Sequence, residues 1–244
     1  MLTYVREKKA LFPCDLFGSH LATSELFISD PSHVYRPAKR YFAEIMMPFR
    51  NLIVKHLERL ATFDIELIAP SHGPLHTDPR PIMDMYRQWV SGPLANKVVV
   101  PYVSMHGSTQ VMVDRLTGAL AQKGVQVVPH KLSGGDTGRL AMELVDAATL
   151  ILGTPTVLAG AHPQAAYAAI LANALRPRIM FASIIGSFGW GGKTVEQLLS
   201  LVPNLKVEVL EPVILKGLPS EEALAAVDNL AALVVEKHRG AGLM

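Results

Sequence analysis

Cysteine is almost missing from this sequence: Cys14 is the only one in 244 residues. One thiol excludes an intrachain disulfide and fits a reducing, cytoplasmic setting. Net charge is scarce too, since 23 basic residues face 21 acidic ones and leave a formal +2. Without a basic excess there is no case for a nucleic-acid partner. No apolar run reaches the roughly eighteen residues of a transmembrane helix, so no membrane span is expected. Residues 1–8 lack the apolar core of a signal peptide. A G-x-x-x-x-G-K-[ST] phosphate loop and a G-x-G-x-x-G dinucleotide fingerprint are both absent, which argues against a nucleotide triphosphatase and against NAD(P)H as direct donor. Apolar residues, by contrast, are plentiful. They make up 50% of the chain against 18% charged, and the mean hydropathy is +0.27. Such a balance hints at surface covered by another chain. The expectation is a soluble, intracellular protein of two domains.

The boundary falls at Ser91-Gly92-Pro93-Leu94, where a helical pattern stops and a strand begins. It divides the chain into 1–95 and 96–244. From Lys97 onward, strand-length apolar runs at 98–102, 125–129, 150–152, 179–184 and 207–214 alternate with helical patterns at 108–123, 136–145, 164–174, 193–201 and 220–238. Continuous rather than alternating apolar character suits strands buried on both faces. The fold class is therefore α/β, a five-stranded, doubly wound parallel sheet. Residues 1–95 are less regular. Short strands at 3–5 and 10–14 precede a loop with Asp15 and Gly18; helices follow at 37–47 and 49–61, broken by Pro48; a strand at 67–70 runs into Ser71-His72-Gly73. So little sheet makes a poor independent core.

Three loops carry the chemistry of the second domain. The first, Ser104-Met105-His106-Gly107-Ser108-Thr109, places hydroxyls and backbone amides at a strand-to-helix turn, where a phosphate dianion is at home without a lysine. Taken alone it also reads as a capped helix start. The second runs from Gly153 through Thr154, Pro155, Thr156, Val157, Leu158 and Ala159 to Gly160. The third is Gly186-Ser187-Phe188-Gly189-Trp190-Gly191-Gly192. Both follow strands at the edge where open α/β sheets bind ligands. Their glycines admit a flat ring closely, and Phe188 and Trp190 supply aromatic contact. Singly, each is an ordinary glycine-rich turn.

Together, S-x-x-G-x-T, G-[ST]-P-T and G-S-x-G-W-x-G resemble the flavodoxin-like domain of flavodiiron (A-type) flavoproteins, over about 97–238. The resemblance implies FMN, with its phosphate held by Ser104, Met105, His106, Gly107, Ser108 and Thr109. It further implies that Pro155, Thr156, Val157, Leu158, Ala159 and Gly160, with Ser187, Phe188, Gly189, Trp190, Gly191 and Gly192, border the isoalloxazine ring. His106 stands where the family often has an aromatic residue.

The first domain is similar to the same family's metallo-β-lactamase-like diiron domain. Leu11-Phe12-Pro13-Cys14-Asp15-Leu16-Phe17-Gly18 matches its L-F-x-x-D-x-F-G segment, and Ser71-His72-Gly73-Pro74 its S-H-G-P. The 41–49 stretch resembles a family helix that usually carries Asn where Glu44 stands. By resemblance Asp15 bridges two irons and His72 is a terminal ligand; such donors suit non-haem iron. The family's upstream H-x-E-x-D-H and a further isolated His have no counterpart in this sequence. His56-Leu57-Glu58 is the nearest substitute, but Leu60 and Ala61 turn it into an amphipathic helix face. His76 and Asp78 are either extra ligands or ordinary loop residues, and His20 lies near Asp15 without ligating. Two ligands do not hold a diiron centre. Three explanations stay open: a second polypeptide completes the domain, the irons were lost and Asp15 and His72 are relics, or the sequence is a piece of a longer one. An incomplete apolar domain favours a covering partner, since exposed core costs about 25 cal/mol per Å².

The family's activity implies reduction of O₂ to water or NO to N₂O, with electrons from a small redox protein. Its head-to-tail dimers imply a homo-oligomer. The alternative is an iron-free FMN relay, or a docking subunit of a larger redox complex.

Overall fold

Gly92, in extended conformation ahead of Pro93, ends the last helix of one unit, as the residue before a proline tends to do. The computed structural model describes the backbone of residues 1–244 and every side chain except that of Pro31. It divides into Met1–Pro93 and Leu94–Met244. Among the described residues no helix is long and apolar enough to cross a membrane.

In the first unit β1 (Thr3–Val5) pairs antiparallel with β2 (Ala10–Phe12), and β3 (Leu67–Ile68) lies parallel to β2. The expected strand 10–14 stops at Phe12 because Cys14 and Phe17 take left-handed backbone, with φ of 57° and 69°. The strand expected at 67–70 is likewise only Leu67–Ile68, ending before Pro70. Helix α1 (Pro31–Tyr41) starts earlier than the expected 37–47, on an Asp30 cap whose side chain accepts from the Ser32 amide. Asp followed by Pro is a helix-start signature, and Pro37 is tolerated inside the helix. Around Pro48 the helix passes through a π turn (Phe42–Met46) and a 3₁₀ turn (Met47–Phe49) before α2 (Arg50–Leu60). Helix α3 (Pro79–Ser91) is capped by Asp78. An aromatic cluster forms the core: Phe42, Tyr86 and Trp89 lie within 5.4 Å of one another by ring centroid, and Phe17 packs on Tyr86 at 4.9 Å.

The second unit alternates strand and helix: β4 (Ala95–Tyr102), α4 (Ser108–Ala121), β5 (Gln126–Lys131), α5 (Thr137–Leu144), β6 (Ala147–Val157), β7 (Gly160–Ala161), α6 (Pro163–Leu175), β8 (Phe181–Phe188), α7 (Thr194–Ser200), β9 (Glu208–Val209), β10 (Val213–Lys216) and α8 (Glu221–Gly240). Its main path is five parallel strands in the order β5-β4-β6-β8-β10, the doubly wound flavodoxin-like order. Successive residues of β4 serve opposite faces. Val98 and Val100 pack with Met112, Leu116 and Leu120 of α4 and with Val227, Leu230 and Val234 of α8. Val99 packs instead with Leu140 and Leu144 of α5 and with Ala165, Ala169 and Ala172 of α6. Each fully buried Leu or Val contributes about 2 kcal/mol.

Two strands depart from expectation. The run at 150–152 is the centre of the eleven-residue β6; its flanks Ala147, Ala148 and Thr149 are fully buried but only weakly apolar. The single strand expected at 207–214 is two pieces. Glu208 pairs with Phe181 and Val213 with Ile185, so this strand carries one more residue than its partner between those points. That is a bulge, and it contains Pro212, which has no amide to donate.

Candidate functional site

The chain leaves β4 for β5 on one side and returns to β6 on the other, so the strand order reverses between β4 and β6. This switch point is where open α/β sheets bind ligands. Here Tyr102 pairs with Gly153 and Pro155 with Ser187, which brings the three glycine-rich loops to one edge.

The first loop is shaped by Gly107, which caps α4 with φ of 91°, a conformation other residues adopt only with strain. The Gln110 amide donates to Ser104 Oγ at 3.1 Å, and the Tyr102 hydroxyl donates to Gln110 Oε1 at 2.8 Å. Thr109 is buried, its Oγ1 3.3 Å from Ser187 Oγ. Of the residues expected at the phosphate, Thr109 therefore ties the first loop to the third from beneath. Met105 and His106 are exposed, and Ser104 and Ser108 are half-buried.

The second loop is the tip of a hairpin in which Thr156 pairs with Ala161 and Val157 with Gly160. Leu158 and Ala159 turn it with φ of 50° and 63°, the mirror-image turn that suits hairpin twist and usually calls for Asn-Gly. In the third loop a Cβ on Gly192 would lie 2.8 Å from the Ala159 carbonyl oxygen and from Thr156 Cγ2, so hairpin and loop touch there. Thr156 and Thr194 share a hydroxyl hydrogen bond of 2.8 Å. A cavity of about 260 Å³ opens beside them, lined by Thr156, Phe188, Gly191, Gly192 and Thr194 among others. Each loop also presents one large apolar side chain to solvent: Met105 at 53%, Leu158 at 97% and Trp190 at 82% exposure. All three loops lie at the same sheet edge, so these side chains leave apolar surface exposed there.

In the first unit the structure brings Asp15 and His72 together, with His72 Nε2 3.5 Å from Asp15 Oδ1. Two backbone bonds stitch their loops, Ser71 N to Cys14 O at 2.8 Å and Ser19 N to His72 O at 3.1 Å. Tyr41 walls the pair, its ring 5.8 Å from His72 and 4.7 Å from His20. Burial, then the charges of Asp15 and Cys14, push its phenol up to about 12. His20 lies 5.9 Å from His72 by ring centroid. Tyr41 carried no signal in the sequence as a neighbour of His72, because the contact is between segments far apart in the chain.

His76 and Asp78 turn out to be structural. His76 is buried with Nε2 3.2 Å from the Phe17 carbonyl, and burial lowers its pKa. Asp78 is spent on the α3 cap and on Arg80. His56 and Glu58 sit on α2, whose Ile53, Leu57 and Leu60 are buried, and Glu44 accepts from Arg40 at 3.1 Å. Among the described residues no three His, Cys, Asp or Glu side chains gather as a metal-binding group. Asp15 and His72 by themselves thus do not fit a diiron centre.

Comparison with known proteins agrees with both halves. Residues 1–73 match the ODP family beta lactamase model. The chain is 34% identical over 215 residues to the nitric oxide reductase of Moorella thermoacetica, covering 86% of this chain and 54% of that one. Rubredoxin oxygen:oxidoreductase from Desulfovibrio gigas superposes with a TM-score of 0.92 at 26% identity, over 98% of this chain and 62% of its own. A flavodoxin from the domain Archaea shares the fold of 59% of this chain, at a TM-score of 0.51, 21% identity and 99% of its own length. The chain spans between half and three fifths of the length of the curated relatives it matches. The two-part match, the sheet order and the whole-chain superposition together place this chain in the flavodiiron protein family.

Proposed function

We propose that the second unit binds FMN and serves as the flavin module of a flavodiiron-type oxidoreductase. The observation that carries this reading is the convergence of three loops at the switch point, one of them leading into the start of α4 and each exposing one large apolar side chain, Met105, Leu158 or Trp190. The residues suit the group. The first-turn amides of α4, with Ser104 and Ser108 near them, offer donors to a phosphate. Thr109 and Ser187 hold the first and third loops at a fixed separation. Thr156–Gly160 and Phe188–Gly192 offer backbone and apolar contact to a ring. Bound there, FMN supplies one- and two-electron transfer. The protein's part is to orient the ring and to cover it.

In this reading a small redox protein would reduce the flavin, and a diiron site, were it completed by donors beyond Asp15 and His72, would supply the chemistry of O₂ or NO reduction. Asp15 and His72 are the two ligands contributed by these residues, and the remaining ligands come from outside residues 1–244. The relatives support the oxidoreductase class: the Moorella thermoacetica protein is a nitric oxide reductase and that of Methanothermobacter marburgensis a coenzyme F420H(2) oxidase. A homo-oligomer that places one copy's flavin near another's metal pair belongs to the same proposal. A second reading is an iron-free FMN relay or docking subunit, in which the Asp15–His72 contact, the carboxylate–imidazole pair of that loop region, is a structural tie.

The two are separated by counting FMN and iron per chain in protein from its native source with all co-purifying subunits kept. About one FMN and two irons, with iron lost in Asp15→Ala and His72→Ala while assembly persists, supports the oxidoreductase. FMN without iron supports the relay.

A further inference from the structure

The hairpin between β6 and β7 is held in a conformation that its own residues resist. Leu158 and Ala159 are consecutive L-residues in the left-handed region, with φ of 50° and 63°. Leu158 is 97% exposed, so packing of its side chain cannot be what fixes the tip. The hold comes from the start of α7. Gln197 Oε1 accepts from the Ala161 amide at 2.7 Å, across 36 residues of chain. The Lys193 amide donates to the Ala159 carbonyl at 2.8 Å, and Thr156 and Thr194 share the hydroxyl bond at 2.8 Å. Gly160 has no side chain where one would collide with the Gln197 amide. Hairpin and helix are therefore fitted to each other through Gln197.

We infer that Gln197 is a positioning residue that sets the backbone of the Val157–Gly160 tip against the flavin ring and thereby poises its affinity and redox potential; this rests on the FMN reading above. Gln197 does not need to touch the ring. A backbone amide or carbonyl at the tip acts on the flavin differently in its oxidised and reduced states, because reduction changes which ring atoms carry protons and charge. A tip released from Gln197 relaxes out of the left-handed turn, and the two redox states of FMN lose affinity unequally. A tenfold inequality corresponds to a shift of about 30 mV in the two-electron potential.

The test compares wild type, Gln197→Leu and Gln197→Glu. Leucine keeps the bulk but offers no acceptor; glutamate keeps the acceptor. Three readouts are taken: FMN affinity, flavin midpoint potential, and hydrogen exchange of the Ala161 amide in the apoprotein. The expected result is a roughly tenfold weaker FMN affinity and a displaced potential in Gln197→Leu. Its Ala161 amide should exchange faster while the amides of Ile151 and Leu152 stay protected, and Gln197→Glu should restore all three readouts. Wild-type affinity and potential in Gln197→Leu overturn the inference, whether or not exchange at Ala161 changes. Faster exchange throughout β6 would reduce Gln197 to a general stabiliser and overturns it equally. If the wild type takes up no FMN, the flavin reading itself falls, and with it this inference.

Discussion

His238 shows at residue scale how the second unit tolerates polar groups in its interior. It sits fully buried on α8, with Nε2 2.7 Å from Thr149 Oγ1 and Nδ1 2.7 Å from Asn96 Oδ1. Two strands and the last helix are thereby joined by one imidazole. Removing it leaves the buried Thr149 hydroxyl without this partner, at about 1–3 kcal/mol, and takes one from Oδ1 of the half-buried Asn96, whose Nδ2 still donates to the Gly124 carbonyl. His238→Ala should destabilise the unit by about 2–4 kcal/mol in a urea titration; a loss within 0.5 kcal/mol of zero would show the network to be dispensable. Burial lowers the His238 pKa below its ordinary value, and burial followed by Arg139 does the same to His130. A histidine kept neutral in the folded state lets the unfolded chain take up the proton first. Stability is then full above the unfolded value of about 6.5 and declines as pH falls below it, toward the lower folded values. Unfolding midpoints measured from pH 8 to pH 5 should fall below about pH 6.5, with a shallower fall in His238→Gln. The sequence singled out Asp15, His72 and the three loops, because motif spacing reports local backbone, and the structure sets Asp15 beside His72 and the loops at one sheet edge. It did not report Tyr41 against His72, or Thr109 against Ser187 across 78 residues, because those contacts exist only once the strands are ordered.

Among elements, helices and buried strands were the readable part and breaks in regularity the unreadable part. Apolar runs located β4 and β8 because both faces of the sheet are covered there, and the edge strand β5, only partly buried, by its Val127 and Val128. They undercounted β6, whose flanks, apart from Val157, are Ala, Thr, Gly and Pro rather than branched aliphatics. The bulge before β10 was invisible since Glu208, Glu211 and Pro212 break up the apolar run in a way that does not report register. The strained element is the β6–β7 hairpin. Replacing Leu158-Ala159 by Asn-Gly supplies residues that accept the left-handed turn, and should stabilise the apoprotein by about 1–2 kcal/mol. A lower melting temperature in that double variant would mean that the turn is not strained. Trp190→Ala tests the third loop. Its indole is 82% exposed, so melting of the apoprotein should barely change, whereas FMN affinity should fall by about tenfold or more. An unchanged affinity would place the ring elsewhere.

For the whole molecule, the two units carry separable chemistry. The second has its own two-sided core and three loops gathered at the switch point. The first has a three-stranded sheet, an aromatic core and a carboxylate–imidazole pair. Asp15→Ala combined with His72→Ala should accordingly leave FMN binding untouched. The central claim is that the start of α4 receives a phosphate and the three loops receive the ring. Its most direct test is a titration of apoprotein with FMN and with riboflavin, which differ only in that phosphate, followed by quenching of flavin fluorescence. One FMN should bind per chain, about a hundredfold more tightly than riboflavin, the worth of one or two charge-assisted hydrogen bonds. Equal affinities for the two flavins, or no binding of either, would contradict it.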